Sequence, residues 1–287
     1  MTLDLDAVRR IAAEVGERRG WDFSAMRTDR DPVPWDYLEV VRRYLEPGDR
    51  VLDTGTGGGE RFLALAPSFG SGVGTDHSPE MVRVARENTP PQLRGKVRFE
   101  LMADEALMLP PASFDVVLNR HSAVFPESVA RVLRPGGVFV TQQVGGRNTQ
   151  SVVDAFGWSA GGARWAADNA RRGWPAQDAA AQDAAALAAA FDRAGCDVVA
   201  RGEYDVPFFY RDVESLVFHL KAAPFPEAFD PRRHWRPLAQ FVAARTAPRG
   251  IETNEHRTLL VVRKRAGPGS ARPAGWAAGG GGAPGRG

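Results

Sequence analysis

The chain has 287 residues, 43% apolar and 25% charged, and its 37 basic and 35 acidic side chains leave a net charge of +2. That size fits one large α/β domain with additions or two small domains, the composition is that of an ordinary globular protein, and the near-balance of charge argues against a nucleic-acid binder. A single cysteine, Cys196, excludes a disulfide framework within the chain.

Leu5, Val8, Ala12 and Val15 recur at helical spacing and predict an amphipathic helix at the N-terminus. Residues 1–20 lack the continuous apolar core of a secretion signal. No run approaches the ~18 apolar residues of a membrane span. The expectation is a cytoplasmic protein with no membrane segment. Residues 21–34 read as irregular, and a second helix is predicted from about Trp35 to Leu45, stopping at Pro47-Gly48.

From there strand and helix signals alternate, the pattern of a parallel sheet covered on both faces. Strands are predicted near 51–53, 72–76, 97–102, 114–119, 138–144, 198–204 and 256–262. Ser78-Pro79-Glu80 is a strong helix start, with a capping hydroxyl, proline in the first turn and an early acid. Residues 179–194 are Ala-rich, with Leu187 and Phe191 four apart and Gly195 closing the run. Two interruptions, 145–177 and 205–255, are far longer than the usual connections and predict cap insertions that act as lids or binding loops. The tail from 266 to 287 is Gly/Pro/Ala-rich without apolar periodicity and is expected to be disordered. The chain therefore divides into an N-terminal helical segment or lid over 1–48, a main domain over 49–265 carrying the caps, and the tail.

The most informative stretch is Arg50-Val51-Leu52-Asp53-Thr54-Gly55-Thr56-Gly57-Gly58-Gly59-Glu60. It reads as a buried strand that ends at an acid, breaks into glycines and opens a helix. Glycines let the backbone pass close to a ligand, and the helix behind them presents free N–H groups. The dinucleotide pattern G-x-G-x-x-G fails, because after Gly55 and Gly57 its third glycine falls on Glu60. The phosphate-cradling G-x-x-x-x-G-K-[ST] fails as well, since no Gly-Lys pair follows. What remains is acid-x-Gly-x-Gly-x-Gly on Asp53, Gly55, Gly57 and Gly59.

This resembles the first motif of the class I S-adenosylmethionine (SAM)-dependent methyltransferases. Four further signals follow in order: Gly74-Thr75-Asp76-His77-Ser78, Ala103-Asp104-Glu105-Ala106, Ser113-Phe114-Asp115-Val116-Val117, and Arg131-Val132-Leu133-Arg134-Pro135-Gly136-Gly137. The resemblance covers about Val51 to Val144. It implies a Rossmann-like α/β fold with a mostly parallel seven-stranded sheet, helices on both faces and cap insertions. It also implies SAM as cofactor. Asp53 and the glycine turn at Gly55 and Gly57 would hold its amino-acid end, Asp76 the ribose hydroxyls and Asp104 the adenine amino group, with Thr54, Glu105 and Asn119 as further cofactor-binding candidates and His77 over one face of the adenine. Asp76, twenty-one residues after Gly55, also stands where dinucleotide folds keep a ribose-binding acid. His77 reads equally as a solvent-facing loop residue.

His121 follows the fourth predicted strand and is the candidate general base or substrate contact; a structural hydrogen-bonding role is the other reading. Arg120 either binds an acidic substrate group or pairs with an internal acid. Trp158, Trp165 and Trp174, interleaved with Arg164, Arg171 and Arg172, read as a substrate lid or as helix packing. Trp35 and Tyr37 either close over the site or fill the helix core. No histidine or cysteine spacing suits a metal. The reading is methyl transfer to a small-molecule acceptor. RNA or protein methylation, or SAM chemistry without methyl transfer, are the alternatives.

Overall fold

The structure, a computed structural model, describes residues 3–16, 23–158, 184–223 and 225–266. The Trp165, Trp174 and neighbouring arginine readings, and the tail from 267 onward, lie outside these residues.

Strands occupy Thr28–Arg30 (β1), Arg50–Thr54 (β2), Ser71–Asp76 (β3), Val97–Leu101 (β4), Phe114–Arg120 (β5), Leu133–Val144 (β6), Cys196–Tyr210 (β7), Thr246–Ala247 (β8) and Gly250–Lys264 (β9). Helices occupy Leu5–Glu14 (α1), Tyr37–Arg42 (α2), Glu60–Leu65 (α3), Pro79–Asn88 (α4), Pro126–Val132 (α5), Gln150–Ala155 (α6), Ala184–Arg193 (α7), Val213–Ala222 (α8) and Pro231–Arg245 (α9). Short acids and a serine start many of them. Asp4, Asp36, Ser78, Asp212 and Asp230 each accept a backbone N–H of the first turn they cap.

The sheet runs β1-β7-β9-β6-β5-β2-β3-β4, with β8 paired to β9. The pairs from β4 to β6 are parallel, while β9 is antiparallel to both β6 and β7. The seven predicted strands are present, and the order confirms a Rossmann-like sheet. Two further strands were not foreseen. β1 lies within the stretch read as irregular, because its residues Thr-Asp-Arg carry no apolar alternation; it is held by pairing with Phe208–Tyr210 at the edge of β7.

Successive apolar residues face opposite sides, as the two-residue period of a strand requires. Val51, Val116, Val140 and Val261 join Phe62, Leu65, Phe69 and Phe99 on one face. Leu52, Val117, Phe139 and Leu260 join Leu187 and Phe191 on the other. Such near-continuous apolar strands are what a sheet buried on both faces needs. A third apolar cluster binds α1, α6, α8 and α9 through Val8, Ile11, Val152, Leu216, Leu238 and Phe241.

The span 205–255 is not an insertion from end to end. β7 continues to Tyr210 and β9 begins at Gly250, pairing from Cys196 with Lys264 to Tyr210 with Ile251. Pairing of β6 with β9 stops at Val144 with Arg257, so the β7–β9 ribbon extends past the parallel strands. On β7 the extension Val206-Pro207-Phe208-Phe209-Tyr210 is interrupted by a proline, and on β9 the stretch Glu252-Thr253-Asn254-Glu255 is polar, so neither prolongs the apolar run of its strand. Residues 1–48 do not form one segment either: α1 packs on the cap helices, β1 on the ribbon and α2 on a sheet face.

Candidate active site

β2 pairs with β3 on one side and β5 on the other, so the chain reverses direction across the sheet between β2 and β5. Ligands of open α/β sheets bind at the carboxyl ends of the strands beside such a reversal. The glycine turn emerges there. Gly55, Gly57 and Gly59 all have positive φ, at 63°, 58° and 76°. A Cβ added at Gly55 would collide with the Ser122 side chain and come within 3.5 Å of Asp104 Oδ2, so only glycine leaves this space open.

Three acids converge on that turn. Thr56 Oγ1 donates to Asp53 Oδ2 at 2.7 Å. Gly57 N–H donates to Asp76 Oδ2 at 2.9 Å, and Ser78 N–H to Asp76 Oδ1 at 2.9 Å. Asp76 is 4% exposed. Asp104, on the turn after β4, accepts from Ser122 Oγ at 3.1 Å through Oδ2. Its other oxygen, Oδ1, is buried with no partner among the described residues. Burial, opposed by the Thr56 hydrogen bond and reinforced by Asp76, raises the Asp53 carboxyl to about 7. Burial likewise raises Asp104 to about 7, against its bond to Ser122 and with the charges of Asp76, Asp53 and Glu105 added.

An acid-rich turn with an orphaned carboxylate oxygen and a space left open only by glycine suits a cationic nucleoside that brings hydroxyl and amino donors. SAM has that donor set, so the residues present fit it. His77 is exposed beside Asp76, with Nδ1 3.7 Å from Oδ1. Glu105 is exposed, and its backbone carbonyl accepts from Ser128 Oγ at 2.9 Å.

Other predicted contacts are corrected by their hydrogen bonds. Asn119 is 1% exposed. Its amide nitrogen donates to Thr54 Oγ1 and the Ala123 carbonyl, and its oxygen accepts from Gln143 Nε2 and Thr141 Oγ1. Both ends of the Asn119 amide are thus engaged within the protein, at the floor of the glycine turn. The Thr54 hydroxyl donates to the Leu118 carbonyl across β2 and β5, so that side chain is strand glue as well. Tyr37 belongs to the core of one sheet face, and its hydroxyl donates to the Asn119 carbonyl at 3.2 Å. Trp158 is 4% exposed within the cap cluster against Phe156, Phe225 and His234, and its buried Nε1 has no hydrogen-bond partner among the described residues.

His121 is held in the left-handed region at φ 60°. Trp35 Nε1 donates to Gln142 Oε1 at 2.9 Å, and Gln142 Nε2 lies 3.2 Å from His121 Nε2. Indole N–H is only a donor, so the Gln142 oxygen must face Trp35 and its NH2 must face the imidazole. His121 Nε2 is therefore the acceptor, and the ring proton sits on Nδ1. Burial, then Arg120, Arg257 and Arg61, hold the imidazole well below its ordinary pKa, which keeps it neutral. The one lone pair of the ring is engaged by Gln142, which matches the hydrogen-bonding reading of His121. What His121 offers is an Nδ1–H donor.

Ser122 and the Trp35–Gln142 relay were not visible as site residues in the sequence. A lone Ser after a strand and a Trp more than a hundred residues from its partner carry no local signal. Among the described residues no cluster of His, Cys, Asp or Glu could hold a metal, and no helix is long and apolar enough to cross a membrane.

Residues 51–137 match a family model described as a methyltransferase domain. The chain is 37% identical over 116 residues to the 2-methyl-6-phytyl-1,4-hydroquinone methyltransferase of Synechocystis sp., covering 38% of this chain and 36% of that protein. It is 38% identical over 90 residues to the magnesium-protoporphyrin O-methyltransferase of Rhodobacter capsulatus, covering 30% and 38%. The matched segment thus spans under two fifths of either relative. The crystal structure of the YcgJ protein of Bacillus subtilis matches at a TM-score of 0.56 and 22% identity over 80% of this chain and 99% of that one, which shows the fold. Sheet order, glycine turn and domain match agree that residues 51–137 carry a methyltransferase domain with the class I fold.

Proposed function

We propose that the protein transfers a methyl group from SAM to a small organic acceptor. The observation that carries this reading is the gathering of Asp53, Asp76 and Asp104 around the single turn at Gly55–Gly59. In this reading Asp53 and the turn hold the methionyl end, Asp76 the ribose hydroxyls and Asp104 the adenine amino group. The partnerless Oδ1 of Asp104 is the acceptor that such an amino group would satisfy. A positively charged ligand beside Asp53 and Asp104 would also draw both carboxyls back toward their ionised forms.

SAM, when bound, supplies a methyl group on a sulfonium, which an acceptor displaces in line. The protein's share is position and exclusion of water. His121 fits this as a neutral hydrogen-bond donor that orients a bound group. Two relatives are named for small aromatic or macrocyclic acceptors, a hydroquinone and a magnesium porphyrin. This favours a small molecule as acceptor, as does a net charge of only +2. Calorimetry with S-adenosylhomocysteine tests the cofactor, and tritiated-methyl transfer into a metabolite extract tests the reaction. Absence of nucleoside binding by pure, folded protein overturns the reading.

A further inference from the structure

Arg120 ends β5 at the carboxyl edge of the sheet, opposite Gln142 of β6. Its guanidinium lies over the ring of Tyr37, with Cζ 5.9 Å from the centroid. Its Nε is buried and has no hydrogen-bond partner among the described residues, and no carboxylate among them forms an ion pair with it. That isolation is unusual for this region. Nearby, Glu255 of the overhanging ribbon takes Arg30 at 2.6 Å, Arg257 at 3.4 Å and the Tyr204 hydroxyl at 2.6 Å. The two carboxylates whose charges act on Arg120 are hydrogen-bonded elsewhere, Asp53 by Thr56 and Glu255 by Arg30, Arg257 and Tyr204, while Arg61 and Arg257 oppose its charge. Burial, with Arg61 adding repulsion, pulls its guanidinium down to about 10. A buried charge left in this way calls for a counter-charge.

His121 stands beside it. Its Nδ1–H has no partner among the described residues, and the same two guanidiniums, Arg61 and Arg257, act on both side chains. Two neighbouring groups thus present N–H donors and no acceptor into a region of positive potential. A carboxylate matches this, since a planar guanidinium fork suits its two oxygens and a neutral imidazole N–H can complete the set.

We propose that Arg120 and His121 Nδ1–H form a carboxylate-binding pair at the carboxyl end of β5. This rests on the methyltransferase reading and adds the chemistry of one ligand group to it. The carboxylate has two sources, the methionyl end of the cofactor or the acceptor itself. Asp53, which feels the charge of Arg120, belongs to the proposed cofactor site, and Glu255 and Arg257, which also act on Arg120, belong to the β7–β9 ribbon.

The test compares wild type with Arg120→Gln, and with Arg120→Lys as a charge-keeping control should the first variant fold poorly. Calorimetry is run with S-adenosylhomocysteine and with its decarboxylated analogue. Methyl transfer is run into a metabolite extract split beforehand on an anion-exchange resin. If wild type prefers the intact nucleoside at least tenfold and Arg120→Gln erases that preference, the pair holds the cofactor's carboxylate. If Arg120→Gln binds both nucleosides like wild type, acceptor activity is expected in the resin-retained fraction and should fall at least tenfold in the variant; the pair then holds the acceptor's carboxylate. If Arg120→Gln binds both nucleosides like wild type, then unchanged methylation in the variant, or acceptor activity confined to the unretained fraction, overturns the proposal. Failure of wild type to bind S-adenosylhomocysteine at all removes the methyltransferase reading itself, a separate outcome.

Discussion

Gly57 donates its backbone N–H to Oδ2 of Asp76 at 2.9 Å, so the acid that ends β3 is bonded to the turn that leaves β2. The other oxygen of Asp76 takes the N–H of Ser78 at the start of α4. One carboxylate thereby sets the shape of the glycine turn and the entry into a helix while still facing the site. Asp76→Ala leaves two amides without acceptors in a buried place, and each unsatisfied group costs about 1–3 kcal/mol. The expected outcome is a lower melting temperature together with loss of S-adenosylhomocysteine binding, measured by calorimetry on protein that remains folded. Wild-type affinity in that variant would remove Asp76 from the ribose site.

Asp104 and Asp53, both near 7, make the site sensitive to pH. A carboxyl whose folded pKa lies above its unfolded value binds its proton more tightly when folded. Its contribution to stability is therefore greatest below the unfolded value near 3.8 and declines as pH rises toward 7. Asp104→Asn cannot ionise and escapes that decline. Chemical denaturation between pH 4 and 8 should show the variant gaining on wild type as pH rises, with most of the change below about 7. Nucleoside affinity of wild type should move the other way and increase from pH 6 to pH 8, because the carboxylate is the form that accepts a hydrogen bond from an amino group. A stability difference that is flat with pH would refute the raised value.

Gly55 joins positive φ to a lack of room, and Ser122 fills the space where its side chain would stand. Gly55→Ala should destabilise the protein by about 1–2 kcal/mol for the left-handed backbone alone, with a further loss from the collision. Adding Ser122→Gly should recover only the collision part, which urea midpoints of the single and double variants will separate. The double variant also loses the hydroxyl on Asp104 Oδ2, leaving that acid without its one bond.

The chain from Trp35 through Gln142 to His121 decides which imidazole nitrogen carries the proton. Nitrogen-15 NMR should find Nε2 unprotonated and the ring neutral at pH 6. Gln142→Glu puts a carboxylate against Nε2 and removes the Trp35-oriented NH2. The imidazole pKa should then rise, with protonation of Nε2 visible in the same spectra. An Nε2–H resonance in the wild-type protein would undo the donor assignment.

The legible part of this protein was local. Val51–Asp53 followed by spaced glycines, Ser78-Pro79 before a helix, and Asp76 after a strand each carry their meaning within a few residues, since φ preference, capping and strand period are properties of short segments. The edge strand β1, the ribbon extension of β7 and β9, and α9 were missed because these segments are ordered by partners far along the chain. Asn119 and Trp158 show the same limit in the site. Their residue types suit a ligand contact, but Gln143, Thr141 and Ala123 consume the one, and Phe156, Phe225 and His234 enclose the other.

By itself the sequence determined a doubly covered, mostly parallel sheet and the identity of the three acids, because alternation, glycine spacing and motif order are written in consecutive residues. Only the tertiary structure decided which polar groups remain free to act. It spent the lone pair of His121 on Gln142, closed Asn119 into the floor and left Arg120 without a carboxylate. The physical reason is that a hydrogen bond depends on distance and direction between groups that the chain brings together from remote positions, and no count along the sequence contains that information.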